Sequence, residues 1–198
     1  MSDIAISEDG KLALASNFID ISDVFSQGKG SLEIYDLSSN NNKVYAMNFD
    51  YSSIDMLRFN PEDINQLIFV EGEKIDVLNL SDKKIQYTFI HGDAISGYVI
   101  KSNIIASSSY DGTIRFWQMV NDGFEFEPHR ITLPGSITNL QYASGIFTVT
   151  LWKSDKAYIL HNLQNNDAIS LEGHGNSIRS ACYTKDNKKT TVQYLFYW

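Results

Sequence analysis

Four histidines, one cysteine and 24 acidic side chains are the groups in this 198-residue chain with the means to bind a metal, move a proton or attack a substrate. Zinc takes Cys and His ligands in pairs a few residues apart. His91, His129 and His161 stand singly, and His174 and Cys182 lie eight residues apart across one strand, which does not bring them together. Cys182 reads as a small core side chain. Asp20 and Asp23 could join a calcium site, yet the ligand pattern of such a loop is absent and the segment reads as solvated loop. Phe124-Glu125-Phe126-Glu127-Pro128 carries two carboxylates, but its alternation reads as an outer strand with both Phe inward and both Glu outward. Paired catalytic carboxylates need a cleft instead. No phosphate loop or dinucleotide fingerprint is present. These residues assign no catalytic group, metal or cofactor.

Composition narrows the class. A content of 43% hydrophobic and 13% aromatic residues suits a globular chain. A phosphate-neutralising surface needs clustered Lys and Arg, and with a net charge of −8 no direct nucleic-acid partner is expected, although a local basic patch is compatible with that average. One cysteine cannot form an intrachain disulfide, so an oxidising compartment is not implied. Met1 to Ile6 lacks the basic and apolar regions of a secretory signal, and no run approaches the ~18 apolar residues of a membrane span. The expectation is an intracellular protein without membrane contact.

The elements that must position any site are short strands. Ile104 to Ser109, a turn at Asp111-Gly112, and Thr113 to Trp117 form the clearest hairpin, because Gly supplies positive φ at a turn without steric cost. Ile54, Ile95, Ile137 and Ile178 open apolar stretches at a recurring interval, and Leu37, Leu80, Met119 and Leu163 close others at nearly the same one. Both intervals sit in or near the ~40–45 residues of a four-stranded propeller blade. The first unit reads as strands Asp3 to Ser7, Lys11 to Asn17, Ser31 to Leu37 and Lys43 to Phe49, with an insertion from Phe18 to Gly30 and a turn at Asn40-Asn41-Asn42. The second opens on Ile54 to Asn60, and alternation puts Ile54, Met56 and the stem of Arg58 on one face, with Leu57 and Phe59 on the other. Gln66 to Val70, Lys74 to Leu80 and Lys84 to Ile90 follow. The fourth unit has Ile137 to Tyr142, Gly145 to Leu151, Ala157 to Leu163 and Ala168 to Leu171, and Thr190 to Trp198 reads as a strand of a fifth.

The hairpin with its apolar pair, small residues, Asp-Gly, Thr-Ile and Trp resembles one repeat of the WD40 family, with Gln118 where the family has Asp. Phe59-Asn60-Pro61 and Gly173-His174 are similar to further family signatures, while Tyr35 replaces a Trp and Glu71-Gly72-Glu73 lacks the turn aspartate. The resemblance implies an all-β, WD40-like β-propeller, an incomplete arc of four-stranded antiparallel blades over 1–50, 51–90, 91–133 and 134–172, with part of another over 173–198. A family ring has about seven blades. An arc of four and a half would expose unpaired backbone edges.

The same resemblance carries a structural hydrogen-bond network onto His91, Ser107, Asp111 and Trp117, with Ser109 as the alternative serine and Ile90 where the family has Gly before the His. A Ser, a His and an Asp also invite a hydrolase reading, but a triad needs an exposed nucleophile beside an oxyanion hole. The family further implies a platform for protein partners on the face of the loops. Asp93, Tyr110 and Trp152 are the partner-binding candidates there, since exposed aromatics are frequent hot spots. Trp152 could instead pack under its own loop. The functional expectation is a non-catalytic protein-protein interaction scaffold or subunit of a multiprotein complex. The alternatives are a propeller-cleft enzyme such as a hydrolase, and a structural subunit completing another ring, where the partner is the chain that closes the propeller.

Overall fold

The computed structural model describes residues 3–18, 29–38, 42–50, 53–101, 104–118, 125–143, 145–160, 168–172 and 175–181, and for residues 18, 29, 50 and 125–128 the backbone alone. The chain divides into two compact units, Met1–Ile90 and His91–Trp198. Each unit holds two four-stranded sheets in which every strand lies antiparallel beside its neighbour in sequence. The described elements are all strands.

In the first unit, β1 (Asp3–Ile6), β2 (Lys11–Phe18), β3 (Lys29–Asp36) and β4 (Asn42–Asp50) make one sheet. The second comprises β5 (Asp55–Asn60), β6 (Asp63–Glu71), β7 (Lys74–Asn79) and β8 (Lys84–Ile90). Period-two alternation turns Ala13, Ala15, Leu32 and Ile34 to one face of the first sheet. There they pack with Ile54, Leu57, Leu67, Phe69 and Leu78 of the second. The alternation expected along β5 is corrected by the structure. Ile54 and Leu57 are both buried in this cluster, and Arg58 is exposed. Met56 adopts φ 55° and the register with β6 slips between Asp55 and Arg58. A bulge of this kind adds a residue to one strand and inverts the facing of those beyond it.

Side chains also clamp the two sheets together. The Ile54 amide donates to Asn17 Oδ1 at 2.9 Å, and Asn17 Nδ2 donates to the Ile54 carbonyl at 3.1 Å. The Leu57 amide donates to Asp3 Oδ2 at 2.7 Å. An amide side chain can meet both backbone groups of one residue, so Asn17 acts as a length of strand would.

In the second unit, β9 (Ile95–Lys101), β10 (Ile104–Ser109), β11 (Thr113–Gln118) and β12 (Glu125–Thr132) form one sheet. β13 (Ile137–Ala143), β14 (Ile146–Leu151), β15 (Ala157–Leu160) and β16 (Ala168–Leu171) form the other. Ile114, Phe116 and Ile131 meet Ile137, Leu140, Phe147 and Val149 in a shared core. β9 comes close to β13 at Gly97, where a β-carbon would lie 3.5 Å from the Leu140 nitrogen. Residues 175–181 lie against the last sheet: Thr148 donates to the Ala181 carbonyl at 3.0 Å, and Thr150 to that of Arg179 at 3.3 Å. Residues 19–28 of the insertion, Asn40-Asn41, Phe124, the stretch from His161 to Leu163, and everything beyond Ala181 lie outside the described residues. So does the facing of Glu125, Phe126 and Glu127.

Candidate functional site

The end of the third sheet where the β10–β11 turn meets the segment before β9 gathers most of the polar candidates. Three consecutive serines close β10. Ser107 and Ser109 share one direction and Ser108 takes the other, where it bonds Ser96 at 3.0 Å. Ser107 Oγ accepts the Trp117 indole N–H at 2.7 Å and lies 2.7 Å from His91 Nε2. Ile105 pairs with Trp117 and Ser107 with Arg115, so the indole reaches its serine diagonally across the hairpin. Ser109 works in the loop instead: its hydroxyl donates to the Asp93 carbonyl at 2.8 Å and accepts the Asp111 amide at 3.1 Å. Asp111 caps the turn. It accepts the Gly92 amide at 3.1 Å, the Thr113 amide at 2.8 Å and the Thr113 hydroxyl at 2.6 Å. Its contact with His91 Nδ1 is longer, 3.4 Å, and Thr113 Oγ1 lies 3.3 Å from the same nitrogen.

Burial, against the pull of the Asp111 carboxylate and with a push from the Arg115 cation, lowers the His91 pKa to about 4. The ring is therefore neutral at pH 7 and carries one N–H. One arrangement satisfies every group: Trp117 donates to Ser107, Ser107 to His91 Nε2, and His91 Nδ1–H to Asp111 and Thr113. Burial works to raise the Asp111 pKa, but hydrogen bonds from the Thr113 hydroxyl and amide and the Gly92 amide hold it below the usual carboxylate value. Ser107 has no solvent exposure and its hydroxyl is engaged on both sides. That geometry offers no substrate a nucleophile. It ties a loop to two strands.

Above the network, Asp93, Tyr110 and Trp152 are all exposed. The Tyr110 amide bonds the Ala94 carbonyl at 3.0 Å, and the Trp152 amide bonds that of Ser136 at 2.8 Å, so the two aromatics occupy equivalent turn positions. Tyr110 is 43% and Trp152 64% exposed, and Trp152 is not packed under its loop. They line one groove of roughly 500 Å³ with Lys153, Ile178 and Arg179. Asp93 does not line it; its carboxylate accepts the Ala94 amide at 2.7 Å.

Thr113 and Asn17 escaped the sequence reading as polar ties, and Ser109 entered it only as the alternative to Ser107. Thr113 had a usable signal, a hydroxyl two residues past the turn aspartate. His161, His174 and Cys182 lie outside the described residues. His129 is described, and its Nε2 is buried without a hydrogen-bond partner among the described residues. Among the described residues, no group of three His, Cys, Asp or Glu is placed to hold a metal.

No family model matches the chain. It is 28% identical over 104 residues to the Homo sapiens peptidylprolyl isomerase domain and WD repeat-containing protein 1, covering 52% of this chain and 16% of that protein. It is 22% identical over 172 residues to Homo sapiens apoptotic protease-activating factor 1, covering 82% of this chain and 13% of that protein. The chain thus spans less than a fifth of the length of these curated relatives. Among solved structures, the WD40 domain of Toxoplasma gondii coronin matches with a TM-score of 0.65 and 16% identity, over 85% of this chain and 44% of that one. A chain of the mitotic checkpoint complex crystal structure matches with a TM-score of 0.67 and 10% identity, over 91% of this chain and 53% of that one. At such identities the structural likeness speaks for the fold alone. In sequence the chain is similar to WD repeat-containing proteins, and in its four-stranded antiparallel sheets to a WD40 β-propeller domain.

Proposed function

We propose that the chain is a non-catalytic protein-interaction scaffold, a WD40 platform or a subunit of a multiprotein complex, working inside the cell and needing no cofactor. The observation that carries this reading is the placement of Tyr110 and Trp152 at equivalent turns, both solvent-exposed and both lining one groove. Aromatic side chains offer large contact area at low conformational cost, which favours them as binding anchors. The buried His91, Ser107 and Trp117 tie beneath Tyr110 keeps its turn rigid, so little ordering is needed on binding. The test is recovery of a partner with wild-type chain and with Tyr110→Ala/Trp152→Ala. The double variant should lose the partner while keeping the wild-type melting midpoint. Equal recovery sinks the reading, as does a lower midpoint, which would make the aromatics packing residues.

A second reading rests on a different observation. Ile4 and Ile6 of β1 are 60% and 67% exposed, and half-buried Leu12 and Leu14 lie opposite them across the hairpin. Among the described residues β1 also pairs on one side only, with β2. A further blade from another chain, completing a ring, would cover both the face and the edge. Mass by light scattering across a concentration series, alone and with a candidate second chain, tests this; a monomer under all conditions counts against it.

A further inference from the structure

The turn of the last described sheet departs from its counterpart in a way that gives the groove a charge. Gly112 bonds back to the Ser109 carbonyl and passes its own carbonyl to Leu133, as Ser154 bonds to Leu151 and passes its carbonyl to Ile178. By that equivalence Lys153 stands where the preceding sheet has Asp111. Asp111 is tied down by Gly92 and Thr113. Lys153 makes no ion pair among the described residues, and its ammonium lies 5.9 Å from the centre of the Trp152 ring. It also adopts φ 54°, a left-handed conformation that a residue with a β-carbon enters only at a cost. Arg179 is the second charged residue of the groove, exposed and held through its backbone carbonyl by Thr150. Among the described residues no carboxylate lines the groove, on a chain whose net charge is −8.

We propose that this groove binds an acidic peptide segment of a protein partner, with an apolar residue against Tyr110 and Trp152 and carboxylates meeting Lys153 and Arg179. The proposal rests on the loop-face reading above and adds the chemistry of the partner. Leu151 and Ile178 give the groove an apolar floor, and the two cations at its rim give direction and register to an acidic strand of residues. Paired cations without local carboxylates would also repel basic segments, which sets specificity as well as affinity.

The experiment is selection from a displayed library of random peptides on the wild-type chain, followed by titration of the enriched peptides against variants. Enriched sequences should carry Asp or Glu flanking an apolar residue. Lys153→Glu/Arg179→Glu should weaken them by about ten- to hundredfold, since it sets like charges against each other. Lys153→Gly removes the cation while relaxing the backbone, so it should weaken binding and leave the melting midpoint unchanged or higher. Enrichment of basic or neutral peptides that still lose binding in Trp152→Ala overturns the acidic assignment and leaves the loop-face reading standing. No enrichment, or enrichment indifferent to Trp152→Ala, overturns both. Displacement of the peptide by a second copy of the chain, with self-association by light scattering, overturns the separate partner in favour of a self-contact.

Discussion

Ser107 serves two partners with one hydroxyl, and that makes it the costliest small side chain in the third sheet to remove. Ser107→Ala leaves the Trp117 indole N–H and His91 Nε2 without partners in a sealed interior. A loss of about 1–3 kcal/mol is expected for each buried group stranded, read from urea denaturation. A second prediction concerns pH. His91 binds a proton near 6.5 when unfolded and near 4 when folded, so between these values the unfolded chain holds more protons. Its contribution is fully present above about pH 6.5 and is lost as the pH falls through about 4, at most about 3 kcal/mol. Denaturation midpoints measured from pH 7 to pH 4 should fall, and His91→Asn should flatten the slope. The spacing of His91, Ser107, Asp111 and Trp117 was legible because a repeat fixes it. The separate task of Ser109 was not, since the register between β9 and β10 shifts between Ser108 and Ser109, and no residue type announces that shift.

The hairpins show what local sequence can and cannot specify. The Asp111-Gly112 turn was readable because glycine there has φ 82°, a conformation other residues resist. A β-carbon on Gly112 would also lie 3.2 Å from the carbonyl oxygens of Leu133 and Gly135. Gly112→Ala should therefore lower stability by about 1–3 kcal/mol, a fall visible as a lower thermal midpoint. The bulge at Met56 had no such marker, because methionine does not advertise a left-handed backbone. The expected facing of β5 failed there for that reason. Asn17 was invisible for another: its partner, Ile54, comes from the next sheet. Asn17→Ala should cost about 1–3 kcal/mol by stranding the Ile54 backbone groups, measurable by chemical denaturation of the whole chain.

Across the molecule, the repeat interval carried the four sheets, because each sheet is one supersecondary unit that needs neighbours to bury its faces. The groove could not be read in the same way. Trp152 and Ile178 open it from different repeats, and the lean of Lys153 depends on a backbone angle. The uncovered face of the first sheet carries its own prediction. Ile4→Lys/Ile6→Lys should leave the thermal midpoint within error, since both residues are solvent-exposed, and should abolish any concentration-dependent association seen by light scattering. Unchanged association would assign it to another surface.

The exchange of Asp111 for Lys153 at one turn position has a consequence in time as well as in charge. The turn carrying Asp111 is bound by four short side-chain contacts, whereas the turn carrying Lys153 keeps its backbone bonds and the Ser154 hydroxyl on the Lys156 amide. Local opening draws on such ties, so the two turns should breathe at different rates. Amide hydrogens around Trp152 and Ser154 would exchange with deuterium well before those of Asp111 and Thr113, and an occupied groove would slow the first set and leave the second unmoved.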